Sequence, residues 1–274
     1  MLKRTMSMTA AGAALVVAAV AGCGSNAQPI QVNLAAAEVL TQAAQKTAEV
    51  TSYTVDAVVN LTHPHEGSGT VQGRMLYQSK PQLAADVTLD TLDFGQRSVP
   101  GGVRAVLQGD TVYVKVEALK ELVGATKPWI KVPLKEADGG SGEIDELLSR
   151  VQQFDLAHVT RLVTASQDVK AAGNETVNGE DTTHYTGTFP VDAAVQQLPA
   201  DEQERAREHL AELKDVKFDI WVAADGLPRK LAMNGAKDGA SLDATLFFKG
   251  FNEPVSIQAP PADQIGELPR GTTN

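Results

Sequence analysis

Apolar side chains recur at every second position through most of this 274-residue chain, and that rhythm narrows the possible folds more than any other feature. Tyr53, Val55, Ala57, Val59 and Leu61 share one parity, with Thr54, Asp56 and Asn60 on the other. Val71, Gly73, Met75 and Tyr77 repeat the pattern, as do Leu83, Ala85, Val87 and Leu89 against Asp86, Thr88 and Asp90. It returns in Val216, Phe218, Ile220 and Val222, in Leu231 and Met233, and in Leu242, Ala244, Leu246 and Phe248. A period of two is the signature of a strand with one dry face and one wet face, typical of antiparallel sheets. Further strands are expected at Trp129 to Val132, Lys170 to Val177 and Thr182 to Phe189. Gly109-Asp110, Asn178-Gly179 and Asp225-Gly226 supply the hairpin turns.

Helical spacing is confined to three stretches. Leu34 to Glu49 reads as an amphipathic helix capped by Asn33, with Leu34, Ala37, Val39, Leu40, Ala44 and Ala48 near one stripe. Ile144 to Phe154 follows acids suited to a first helical turn, and Asp192 to Leu213 is helical but broken at Pro199. No linker divides the chain, so residues 34–260 read as one α+β domain, a large antiparallel sheet with helices on one side. A sheet of so many strands twists and coils, which predicts a half-barrel with the helices on its concave side. Its inner face mixes aliphatics with small Ala57, Gly73, Ala85, Gly187 and Ala244, and aromatic residues make up only 5% of the chain. Two readings of that face stand: an ordinary close-packed core, or an underfilled apolar cavity able to take an apolar guest. On the second, the candidate lining is Tyr53, Val55, Val59, Met75, Tyr77, Val87, Leu89, Phe218, Ile220, Val222, Leu231, Met233 and Leu246.

The N-terminus has the layout of a secretory signal over residues 1–22. Lys3 and Arg4 precede a charge-free apolar run from Ala10 to Ala21, too short for the ~20 residues that a spanning helix needs. It ends in Val20-Ala21-Gly22-Cys23. The chain's single cysteine excludes an internal disulfide framework and a multi-cysteine metal site. Residues 23–33 read as a polar tether, and residues 261–274, rich in Pro and Gly, as a flexible tail. The formal net charge of -10 argues against nucleic acid as a partner.

Four segments together resemble the LppX/LprA/LprF/LprG lipoproteins of actinobacteria, within the wider LolA/LolB-like group. They are Val20-Ala21-Gly22-Cys23, which looks like a lipobox; Thr51-Ser-Tyr-Thr-Val after the first helix; Val177-Asn-Gly-Glu-Asp-Thr-Thr-His-Tyr-Thr-Gly-Thr; and Asp219-Ile-Trp-Val-Ala-Ala-Asp-Gly-Leu-Pro-Arg-Lys. The resemblance implies cleavage before Cys23 and diacylglyceryl and acyl (palmitate-type) groups on that residue. These would anchor the protein to the extracytoplasmic face of the cell membrane. It further implies a U-shaped half-barrel whose apolar cavity holds the tails of lipids or glycolipids and carries them between envelope layers, without catalysis or cofactor. A membrane transporter is a possible partner. A rival of another class is an envelope sensor that binds a regulatory protein through its surface, the charged stretch Asp201 to Leu213 being the candidate contact.

Other constellations carry less. His63-Pro64-His65-Glu66 has ligand-type residues, but Pro64 marks a turn between strands and sequence fixes no further ligand. Gly67-Ser68-Gly69 lacks the spacing and strand-to-helix setting of a nucleophile elbow. Gly139-Gly140-Ser141-Gly142 lacks the lysine of a phosphate loop, and Asp138 to Glu143 lacks the carboxylate rhythm of a calcium loop. His158, His184 and His209 have no triad spacing, and His184 is expected to face outward. Trp129 and Trp221 read as packing residues, with a cavity mouth as the alternative.

Overall fold

In the computed structural model the described residues are 28–64, 67–94, 97–98, 102–116, 126–133, 156–189, 191–196, 203–204 and 216–267. Cys23, the expected helix Ile144 to Phe154 and most of the stretch Asp201 to Leu213 lie outside them. The chain opens with α1 (Gln28–Ala48), then β1 (Ser52–His63), β2 (Gly67–Gln78), β3 (Ala84–Phe94), a two-residue β4 (Arg97–Ser98), β5 (Val103–Gln108), β6 (Thr111–Val116) and β7 (Trp129–Pro133). After α2 (Leu156–Val163) come β8 (Lys170–Val177), β9 (Glu180–Thr188), α3 (Val191–Gln196), β10 (Lys217–Ala223), β11 (Pro228–Lys237), β12 (Ala240–Lys249) and β13 (Ile265–Glu267). These strands form one 13-stranded sheet in the order β13-β7-β6-β5-β3-β2-β1-β12-β11-β10-β9-β8, with β4 beside β3. All pairings are antiparallel except β13 with β7.

Register converts the sequence rhythm into continuous belts. One runs Tyr185–Ile220–Leu231–Leu246–Ala57–Gly73–Leu89–Val103 through successive cross-strand partners. A second joins Phe248, Val55, Met75, Val87, Ala105 and Val114. Because the side-chain period is two, every residue of these belts points to the same face. The turn signals hold: Asn178 and Gly179 both take positive φ (52° and 85°), the geometry of the tight hairpin turn between β8 and β9.

Helices α1 and α2 cover part of that face. Ala36, Leu40, Ala43 and Thr47 of α1 are buried, at helical spacing. Ala36, Leu40 and Ala43 join Leu156 and Val163 of α2 against Tyr53, Val55, Phe218, Ile220, Leu231 and Phe248. The buried stripe is therefore rotated from the expected one: Ala37 and Ala44 are half-buried and Ala48 is exposed. The helix also begins at Gln28, so Asn33 sits inside it and the expected tether 23–33 is helical from Gln28 onward. Pro29 suits this earlier start, since a first-turn proline gives up a donor that has no intrahelical partner.

The chain does not become loose at Pro260. Pro260 is buried, Ala262–Gln264 form a 3-10 turn and Ile265–Glu267 form β13, which corrects the expected tail 261–274 over these residues. Val255 and Ile257 pack with Ala84, Val106 and Trp129 on the opposite face of the sheet. The C-terminal arm thus covers the outer side of β3, β5 and β7.

Candidate functional site

Every residue expected to line the cavity lies on the belt-bearing inner face. Their surroundings differ. Tyr53, Val55, Met75, Tyr77, Phe218, Ile220, Val222, Leu231, Met233 and Leu246 pack into the cluster shared with α1 and α2. Val59, Val87 and Leu89 are half-buried and belong to no buried cluster of the described residues. Solvent exposure rises along β1 from Tyr53 at 2% to Leu61 at 39%. The inner face therefore has a helix-covered half and a half on which apolar side chains are only partly covered by described residues.

Tyr53 anchors the covered half. Its ring lies 5.0 Å from Tyr77 and 6.5 Å, edge-on, from Phe248. Its hydroxyl accepts the Leu156 N–H at 3.3 Å, which occupies one of the unpartnered donors at the start of α2. Asp168 fixes the other end of that helix to β9. Its carboxylate accepts the Thr188 N–H and hydroxyl, both at 2.7 Å, and the Ser166 hydroxyl at 2.9 Å. Burial alone would raise its pKa, but these donors and the Lys217 charge overcome that and hold it at about 2.

The motif residues turn out to be fasteners. Arg229 is 8% exposed and donates to Glu180 Oε2 and Asp225 Oδ2, both at 2.8 Å, while its guanidinium lies 5.1 Å from the Phe251 ring centre. It ties the β8–β9 and β10–β11 turns together. Burial disfavours its charge, but the two carboxylates outweigh that and raise its pKa. On the outer face, as expected, His184 bridges Asp219 (Nε2, 2.7 Å) and Glu175 (Nδ1, 3.1 Å) and stacks on Trp221 at 4.3 Å. Trp221 donates its Nε1–H to Glu175 and carries Lys230 Nζ 4.1 Å from its ring centre. Trp129 packs with Ala84, Val106 and Ile257, Arg104 lying 5.6 Å away over its ring. Both tryptophans are packing residues on the outer face. Among the described residues no cluster of His, Cys, Asp and Glu could hold a metal.

Sequence reasoning missed a second feature of the inner face. A cleft of about 630 Å³ opens between α1 and the β8–β9 hairpin. Gln42, Asn174, Asp181, Thr183, Tyr185 and Val222 are among its walls. Thr183 and Asp181 continue the parity of Tyr185, so the signal was present as polar residues at inward positions. Burial raises the pKa of the Tyr185 phenol, and a hydrogen bond with the Thr183 hydroxyl partly offsets it.

No helix among the described residues is long and apolar enough to cross a membrane. The model of the LppX_LprAFG lipoprotein family matches residues 156–257. A 31.2 kDa protein encoded in the rplA-rplJ intergenic region of Streptomyces griseus is 29% identical over 169 residues, 59% of this chain and 55% of that one. A putative lipoprotein of Streptomyces coelicolor is 26% identical over 163 residues, 58% of this chain and 49% of its own. The chain thus spans about half the length of the curated relatives it matches. Among solved structures, the Mycobacterium tuberculosis lipoprotein LppX is 19% identical with a TM-score of 0.45, covering 82% of this chain and 100% of its own. LprF of Mycobacterium bovis is 16% identical with a TM-score of 0.49, covering 83% and 97%.

Proposed function

We propose, from the premise that residues 156–257 carry the signature of the LppX_LprAFG lipoproteins, that this protein is a lipid-anchored carrier. It binds acyl chains of lipids or glycolipids on the inner face of its sheet and moves them between layers of the envelope. The step is transfer of a bound molecule, with no covalent bond made or broken. Cys23 is the anchor, acylated after removal of residues 1–22, and holds the domain at the extracytoplasmic face of the membrane.

The observation that carries this reading is the pair of apolar belts. Between them they run from β9 to β6 without a charged residue, and α1 and α2 pack over only part of them. Each methylene kept from water is worth ~0.8 kcal/mol, so a tail laid along Val59, Val87 and Leu89 is spared much of the cost of crossing the aqueous layer between membranes.

The test is native mass spectrometry of the full chain, purified from a lipid-containing host in a polyoxyethylene detergent. The expected result is co-purified diacyl lipid, reduced several-fold by Val59→Asp with Leu89→Asp. Both positions lie outside the buried clusters of the described residues, and thermal unfolding within a few degrees of wild type checks that the double variant keeps its fold. Protein that is empty of lipid, or loading untouched by the two carboxylates, overturns the proposal.

A further inference from the structure

The cleft beside the β8–β9 hairpin has a chemistry unlike the rest of the inner face. The floor, Tyr185 and Val222, belongs to the apolar core. Above it the inward positions turn polar, as two cross-strand couples. The Thr183 hydroxyl donates to Asn174 Oδ1 at 3.2 Å, and the Thr176 hydroxyl donates to Asp181 Oδ1 at 3.3 Å. Each couple keeps capacity to spare: the Asn174 NH₂ as a donor, and the second Asp181 oxygen as an acceptor. Gln42 of α1 faces them across the opening. Neighbouring donors and acceptors above an apolar floor match a group whose hydroxyls sit on adjacent carbons and whose C–H face is apolar.

Charge narrows the choice. Among the described residues the lining includes two carboxylates, Glu175 and Asp181, and no lysine or arginine. Glu175 is engaged on the outer side by His184 and Trp221. A cation near the rim, Lys46, passes Gly226 and lies 4.0 Å from Glu49. An anionic group placed in this cleft would meet Asp181 without a compensating cation in the wall, whereas a neutral polyol meets only hydrogen-bonding groups. The volume falls inside the ~300–1,000 Å³ range of small-molecule sites.

We infer that the cleft is a binding site for a neutral polyhydroxylated group, a sugar ring or a comparable polyol. The group could be the head of a lipid or a free saccharide. The lipid-head arm rests on the acyl-binding reading; the free-saccharide arm does not.

The experiment uses the full chain in a polyoxyethylene detergent, which itself carries no sugar. Native mass spectrometry compares uptake of glucosyl-diacylglycerol and phosphatidylglycerol with identical acyl chains. Saturation-transfer NMR separately tests free methyl glucoside. The phosphate of phosphatidylglycerol brings a negative charge towards Asp181, and the sugar ring offers more hydroxyls than the glycerol head, which together predict a preference of about tenfold for the glycolipid. Thr183→Val with Asn174→Leu should lower that preference several-fold and leave phosphatidylglycerol uptake unchanged. Equal uptake of the two lipids by the wild type, or a preference that the double variant does not lower, overturns the inference. If neither lipid is taken up, the acyl-binding reading has failed. Methyl glucoside transfer that disappears in the double variant then still supports the cleft, and its absence from the wild type overturns it. Thermal unfolding of the variant, unchanged within a few degrees, confirms that the hairpin is intact.

Discussion

Replacing Asp168 with Asn removes a charge that three hydrogen-bond donors hold between α2 and the end of β9. The native carboxyl titrates at about 2 against an ordinary value of 3.8. Taken at face value, that shift corresponds to ~2.4 kcal/mol, and solvent screening of this exposed residue reduces it to about 1 kcal/mol. The folded-state pKa is the lower one, so the contribution is complete above 3.8. It declines below that and is gone once the pH has fallen through about 2. At pH 3 about half of it should remain. Urea unfolding followed by tryptophan fluorescence, on wild type and Asp168→Asn at pH 7 and pH 3, measures both quantities. We expect the variant to be less stable by about 1 kcal/mol at pH 7, a fall of ~3 °C in Tm, and the gap to halve at pH 3. An equal gap at both pH values would mean that shape or hydrogen-bond count at position 168, rather than the charge, does the holding.

Two further perturbations separate the parts of the covered half. Phe218→Ala, at a fully buried position under both helices, should cost about 3–5 kcal/mol in the same urea assay. A cost below about 1 kcal/mol would show that the cluster is not close-packed. Tyr53→Phe keeps the ring but removes the acceptor for the Leu156 N–H, costing about 1 kcal/mol. Hydrogen exchange over Leu156–Val163 should accelerate while the β1–β2 amides stay protected, and uniform protection in the variant would refute the anchoring role.

Much of the sheet was legible because each inward position from Tyr53 to Val59 and from Phe218 to Val222 obeys one rule, parity. Pairing partners followed from turn residues such as Asn178 and Gly179, whose positive φ leaves few alternatives. Parity was least informative in β8. There Ala171 pairs with Tyr185 but Gly173 with His184, a bulge that shifts the alternation by one residue. The start of α1 was hidden because Gln28 to Asn33 present few apolar residues to mark a stripe. The C-terminal arm was hidden for a different reason. Val255 and Ile257 are fixed by burial against Trp129 and Val106, contacts distant in sequence, and Pro-rich segments signal no period of their own. The cleft escaped notice because polar residues at inward positions read as interruptions of a core, although they continue its geometry. The conspicuous Asp225-Gly-Leu-Pro-Arg229 stretch drew the eye as a signature, and its Arg229 serves to lock two turns.

The early start of α1 has a mechanical consequence. Counted along the backbone, Gln28 is five positions from Cys23, a reach of at most ~18 Å at full extension. Were Cys23 moored in a bilayer, the N-terminal end of α1 would be confined to a shell thinner than the length of the helix itself, which is ~31 Å for its 21 residues. The domain would pivot like a boat on a short painter, sampling tilt rather than altitude, and cargo would have to board and disembark within that swing.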